Sequence, residues 1–167
     1  MSLAGRLLVA TPLITDPNFI HTVVYIYAHD SDDGAAGVVL NRPTDEPTLS
    51  HLPGWRSVLA PPPNVFWGGP VAPDSGLVLM LRDGVVQLAE ELEPPDPPAR
   101  ARLFVGQAGW GPGQLEGELT EEAWLVAEPQ AEEVLAPFPD DLWGRMVRRQ
   151  GGRAALWSTH PLDPRMN

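Results

Sequence analysis

The sequence predicts one α/β domain of the α+β type, with a strand-built core and a few flanking helices. Three observations carry that reading. The 167 residues suit one domain, since a chain of this length buries roughly two-thirds of its unfolded surface. Short segments rich in β-branched and aromatic residues recur between Gly, Pro and Asp turn signals. Helical patterns are few, and no linker or internal repeat divides the chain.

In order, Arg6–Ala10 reads as a first strand. Asp16-Pro17 has the chemistry of an N-cap followed by Pro at a first helical position, opening one short turn through Phe19. His21–His29 (HTVVYIYAH) is apolar on both faces and is placed centrally in a sheet. Asp30-Ser-Asp-Asp-Gly34 supplies a turn, with Ala35–Leu40 as the returning arm of a hairpin. Thr48–Leu59 reads as a short helix interrupted by proline. Val65–Trp67, Gly76–Leu81 and Val85–Leu88 read as short strands, and the acidic, proline-rich Glu90–Pro98 as an exposed loop. Arg102–Val105 is a strand, Pro112–Glu121 a helix, and Ala123–Ala127 a strand. Pro139–Gln150 is the longest helix, stopped by Gly151-Gly152, and Leu156-Trp157 fits either strand or helix.

Composition closes several function classes. There is no cysteine, hence no disulfide, Cys-ligated metal or thiol nucleophile. All 11 basic residues are arginine, which excludes a Walker A lysine, a Schiff-base lysine and a lysine general base. A net charge of −11 disfavours direct nucleic-acid binding, whose nonspecific strength comes from cations displacing counterions at phosphates. No apolar run approaches the ~20 residues of a membrane span. Leu7–Ala10 is stopped by Pro12 and Asp16, too soon for a signal peptide. The expectation is a cytoplasmic protein with no membrane partner. Arg145, Arg148, Arg149 and Arg153 follow an arginine-free acidic stretch, as an anion patch or a solvated face favoured by the helix dipole.

The candidate chemistry is sparse. Asp30–Gly34 fails the EF-hand register, because Gly34 and Asn41 stand where ligands belong, so a hairpin turn is expected. His21 and His29 share strand parity, but eight residues at ~3.3 Å put them ~26 Å apart, too far for one metal ion. His29 next to Asp30 reads as a surface histidine. Asp74-Ser75-Gly76 reads as a turn, and no nucleophile elbow exists. No metal site and no cofactor are expected.

Three turn motifs are more specific. Gly37-Val-Val-Leu-Asn41-Arg42-Pro43 delivers an amide and a planar guanidinium to a strand end, where Pro43 prevents further pairing. Asn41 and Arg42 suit a carboxylate or phosphate ligand, or else satisfy loop backbone groups and pair with an acid at the core edge. Trp67-Gly68-Gly69-Pro70 is a glycine turn after a strand. Gly106-Gln-Ala-Gly-Trp110-Gly-Pro112-Gly-Gln114-Leu-Glu116-Gly-Glu118-Leu119 runs through four glycines into a helix, with Pro112 at its first position. It reads as an anion cradle or as a close-packed joint. Glu116 and Glu118 favour the joint, because they oppose an anion at that helix end. Leu115 and Leu119 are expected to face the core.

These segments, with Gly5-Arg-Leu-Leu-Val-Ala-Thr-Pro12, Asp16-Pro17-Asn-Phe19, Gly68-Gly-Pro-Val71, Ala123-Trp124, Leu142-Trp143 and the terminal Asp163-Pro164…Asn167, resemble the YqgE/AlgH family of bacterial proteins collinearly over nearly the whole chain. The resemblance implies a single domain over residues 1–167, with a bifurcated, largely antiparallel sheet curled toward a pseudo-barrel. It implies no established activity, although some relatives are described as transcriptional regulators. Two functions are therefore carried forward. One is a non-catalytic regulatory or binding domain with a small-molecule ligand or protein partner at Asn41, Arg42, Gly68, Gly69, Trp110 and Gln114. The other is an enzyme on an anionic or nucleotide-like substrate, with Arg42 as clamp and Asp16 or Glu116 as acid/base.

Overall fold

Leu7 and Val9 are buried in one hydrophobic cluster, and their neighbours Leu8 and Ala10 in another. This alternation is the sheet's signature, since successive strand side chains leave on opposite faces. The computed structural model describes residues 2–90 and 92–159, with nine strands and four short α-helices in the order β1 (Leu7–Ala10), β2 (Val23–Asp30), β3 (Gly34–Val39), β4 (Pro43–Pro47), β5 (Asn64–Trp67), β6 (Val71–Arg82), β7 (Val85–Leu88), β8 (Arg100–Trp110), α1 (Gln114–Thr120), β9 (Trp124–Ala127), α2 (Ala131–Val134), α3 (Leu142–Gln150) and α4 (Gly152–Ala155). The family's terminal motif Asp163-Pro164…Asn167 lies outside the described residues.

The main path of the sheet is β4-β5-β8-β3-β2-β1-β9, with β6 branching from β8 and carrying β7. Pairing is antiparallel except between β5 and β8. The sheet is mixed and stays open. β2 lies between β1 and β3, with both faces covered over Val23–Ile26, where its apolar pattern is continuous, and one face opening to solvent at Ala28 and Asp30. Val23 and Tyr25 join the face packed by α3, through Leu142, Trp143, Met146 and Val147. Val24 and Ile26 join the face packed by α1, through Leu115 and Leu119. A third cluster forms where Leu52, Trp55 and Val58 cover Val65, Val78 and Leu103.

The fork lies in β8. Phe104 and Val105 pair with β5, Arg100–Val105 with β6, and Ala108–Trp110 with β3. Phe104 and Ala108 have the same strand parity yet enter different clusters, so the strand reorients between them. Gly106 sits at that point with φ +78°, a conformation glycine adopts at little cost. The Trp67-Gly-Gly turn crosses β8 at the same place. A Cβ on Gly68 would meet the Gly106 carbonyl, one on Gly106 the Gly69 carbonyl, and one on Gly69 the Gln107 backbone. Three glycines let two backbones touch where the sheet divides.

Several expectations change. Gly106–Trp110 is strand rather than turn, because β3 supplies partners that local sequence cannot reveal. α1 begins at Gln114, after Gly113 at φ +76°, so Pro112 precedes the helix instead of occupying its first position. Pro43 opens β4 rather than ending pairing; the missing N–H is tolerated on an edge strand. Thr48–Leu59 makes two 3-10 turns, Thr48–Ser50 and Pro53–Trp55, instead of a helix. Asp74-Ser75-Gly76 lies within β6, where the register shifts between Val71 and Gly76. His21 stands outside β2 in a turn with φ +54°, so the shared parity with His29 does not apply. Leu156-Trp157 belongs to a 3-10 turn, Leu156–Thr159.

Candidate functional site

The chain leaves β8 at Trp110, turns through Gly111-Pro112-Gly113 and enters α1. Gln114 closes this turn, its Oε1 accepting the Gly111 N–H at 3.0 Å. One helical turn on, Glu118 faces the same side. Its Oε1 accepts the indole N–H of Trp110 at 3.0 Å and of Trp124 at 2.9 Å, and its Oε2 accepts the Gln114 amide at 3.0 Å. A single carboxylate thus ties the end of β8, the first turn of α1 and the start of β9. Phe19 completes the wall, its ring 6.4 Å from Trp110 and 5.9 Å from Trp124, while the two indoles lie 6.1 Å apart.

These groups line a cleft of about 330 Å³, whose rim is Ile14, Thr15 and Asp16. The rim belongs to the loop between β1 and β2. Its first end is held by Thr11, whose N–H donates to Ala123 O at 3.0 Å and whose hydroxyl donates to Glu122 O at 2.8 Å. Asp16 shapes the middle, with Oδ1 accepting the Asn18 N–H at 2.8 Å and its carbonyl accepting the N–H of Phe19 and Ile20. The far end is fastened by Asn41 and Arg42. Asn41 Oδ1 accepts the Val23 N–H at 3.0 Å, and its Nδ2 donates to His21 O at 2.9 Å. Arg42 Nη2 donates to Ile20 O at 2.9 Å, and the guanidinium lies 5.3 Å from the Trp67 ring centroid. Burial lowers the Arg42 pKa, opposed by the charge of Asp16.

The six predicted binding residues therefore divide. Trp110 and Gln114 line the cleft. Asn41 and Arg42 instead hold the loop that forms its rim, and Gly68 and Gly69 face the β8 backbone at the fork. Of the two acid/base alternatives, Asp16 is on the rim, whereas Glu116 lies 3.5 Å from His29 Nε2. His29 is no surface group. Its side chain is 4% exposed, and Nδ1 accepts the Leu3 N–H at 2.8 Å, which places the ring proton on Nε2. The arginines of α3 are tied into ion pairs, Arg145 and Arg148 near Asp141 and Arg149 with Glu133 at 2.5 Å. Among the described residues, no three His, Cys, Asp or Glu side chains are placed to hold a metal ion.

Sequence reasoning missed Phe19, Glu118 and Trp124 as members of one site. A signal existed: Gln114 and Glu118 are one helical turn apart, and Glu118 falls between two tryptophans. A second cleft, of about 260 Å³, opens between β6 and β8, where the Tyr27 hydroxyl bonds Gln107 Oε1.

Comparison with known proteins agrees with this architecture. A family model described as AlgH-like matches residues 7–155. A UPF0301 protein of Streptomyces coelicolor is 44% identical, the match covering 99% of this chain and 96% of that protein. One from Thermobifida fusca is 38% identical over 100% of this chain and 96% of its own. Among solved structures, a Corynebacterium diphtheriae protein superposes with a TM-score of 0.82 at 29% identity, covering 93% of this chain and 91% of that one. The AlgH protein of Pseudomonas aeruginosa gives 0.68 at 26% identity, covering 96% and 95%. With a family model matching nearly its whole length, this chain belongs to the AlgH-like family.

Proposed function

We propose that this protein is a non-catalytic binding domain, and that its ligand, a small molecule or a side chain of a partner protein, enters the cleft between Trp110, Trp124 and Asp16. One observation carries the reading: the central carboxylate, Glu118, is held by three donors that serve as walls of the cleft, and none of them is a nucleophile. A general base needs a reacting proton within hydrogen-bond reach. Glu118 instead fixes the orientation of two indoles, the large amphipathic surfaces that anchor recognition. The cleft is at the small end of the roughly 300–1,000 Å³ typical of ligand sites.

A regulatory role suits such a domain and accords with relatives described as transcriptional regulators. With a net charge of −11, it would act through a ligand or protein partner rather than on DNA. A cytoplasmic location, and one domain spanning residues 1–167, belong to the same proposal; among the described residues no helix is long and apolar enough to cross a membrane. The enzymatic alternative needs Arg42 as clamp with Asp16 or Glu116 as acid/base; Arg42 is engaged by the Ile20 carbonyl and the Trp67 ring, and Glu116 lies beside His29 rather than in the cleft. A metabolite panel screened by thermal shift tests the proposal, since binding at [L] = 100 Kd stabilises by about 2.7 kcal/mol. A turnover that disappears in a folded Glu118→Gln variant would refute it.

A further inference from the structure

We infer that the cleft selects a small organic cation, an ammonium or amidinium group carried on an apolar body; this rests on the reading of the cleft as a binding site. The balance of donors and acceptors decides the sign. An anionic ligand would need donors, and both indole N–H groups of the aromatic wall are already engaged, leaving one N–H of the Gln114 amide and the Thr15 hydroxyl. Both indole N–H groups and the Gln114 amide donate to Glu118. Acceptor capacity remains: a carboxylate offers about four lone-pair sites, and Glu118 Oε2 receives only the Gln114 amide among the described residues. Asp16 on the rim is exposed, and of its two carboxylate oxygens Oδ1 accepts the Asn18 N–H, leaving Oδ2 without a hydrogen bond among the described residues.

Charge and surface point the same way. The lining holds two carboxylates and no basic side chain among the described residues. The nearby cation, Arg42, feels the Asp16 charge but donates to the Ile20 carbonyl and stacks on the Trp67 ring outside the lining. Three aromatic rings within 6.4 Å of one another supply π surface, which attracts a cation and shelters an apolar body. The protein's net charge of −11 adds a field that draws cations and repels anions.

Three probes sharing one apolar body test this: phenethylammonium, 2-phenylethanol and phenylacetate, titrated into the full chain. The readout is the indole ¹⁵N–H resonances of Trp110 and Trp124, assigned with Trp110→Phe and Trp124→Phe. The expected result is that phenethylammonium binds at least about tenfold more tightly than 2-phenylethanol, with phenylacetate weakest. Asp16→Asn, which keeps the acceptor for the Asn18 N–H, should reduce that preference severalfold. If phenylacetate or the alcohol shifts the indoles at equal or lower concentration, or Asp16→Asn leaves the preference intact, the cation assignment fails and the binding site stands. If none of the three moves either indole, both fail.

Discussion

Two glycines of one run, Gly106 and Gly113, share nearly the same backbone angle, φ +78° and +76°, but differ in surroundings. A Cβ at Gly113 meets nothing within 4 Å, whereas one at Gly106 meets the Gly69 carbonyl. Alanine at either position bears the left-handed penalty of roughly 1–2 kcal/mol. About 0.4–1 kcal/mol of that is offset by the stiffer unfolded chain. Gly113→Ala should therefore lose between about 0 and 1.6 kcal/mol. Gly106→Ala adds an overlap between two backbones paired on both sides, a strain of the kind that costs about 1–3 kcal/mol in packed interiors. The expected difference is about 1–3 kcal/mol. Urea unfolding measures it from the midpoint at unchanged slope. By thermal melting it corresponds to about 2–4 °C per kcal/mol for a domain this size. Equal losses at the two positions would refute the claim that close approach, rather than backbone angle alone, dictates glycine at the fork.

Three further outcomes follow from individual side chains. Arg102 is 1% exposed, stacks 4.0 Å from the Phe66 centroid, and donates to Pro61 O at 2.7 Å and Ala136 O at 3.2 Å. Burial first, then Arg100, pushes its pKa down to about 9, so it is still charged at neutral pH. Arg102→Met leaves two carbonyls without their donor and should destabilise by about 2–4 kcal/mol in urea, at roughly 1–3 kcal/mol for each buried unsatisfied group. Glu118→Ala strands two indole N–H groups and should lose about 2–4 kcal/mol, whereas Glu118→Gln keeps one acceptor and should lose about half as much, with near-UV circular dichroism reporting both. Burial raises the Tyr25 and Tyr27 pKa values above the ordinary 10.0. The unfolded chain therefore ionises them first, and their stabilisation, complete below pH 10, is lost as pH rises through the folded values. Unfolding midpoints should fall more steeply above pH 10 in the native protein than in Tyr25→Phe/Tyr27→Phe.

What was legible in the sequence was what local chemistry decides. The hairpin at Asp30–Gly34 formed as expected because Asp30 Oδ1 accepts the N–H of Asp32 and Asp33, an interaction encoded within four residues. β2 was legible because burial on both faces over Val23–Ile26 leaves an uninterrupted apolar run. β4 was not, since its hydrophobic content is nil and only the β5 ladder makes it a strand. The glycine run was legible in part: the close-packed joint expected there forms, but Gly106–Trp110 is strand rather than turn, and the glycines permit a crossing with residues nearly 40 positions earlier. The candidate site was half legible. Trp110 and Gln114 are near neighbours in sequence and line the cleft together, but Phe19 and Trp124 reach it from other strands' ends, a closeness created only by β1 lying between β2 and β9.

That topology also explains how Asn41 and Arg42 bear on the cleft without lining it. β1 pairs with β2 on one side and β9 on the other, so the β1–β2 loop hangs beside the α1–β9 turn. Thr11 ties the loop to that turn, and Asn41 and Arg42 tie its other end to the β3–β4 connection. The rim residues Ile14–Asp16 are thus a span tied to the sheet at both ends and held in the middle by bonds within the loop itself. Asn41→Ala releases one end without touching the cleft. It should raise amide exchange across residues 16–22 and weaken any ligand by the fraction of time the rim is displaced. Were exchange to rise while affinity stayed at the native value, the rim would be excluded from binding, and recognition would rest on Trp110, Trp124 and Glu118 alone.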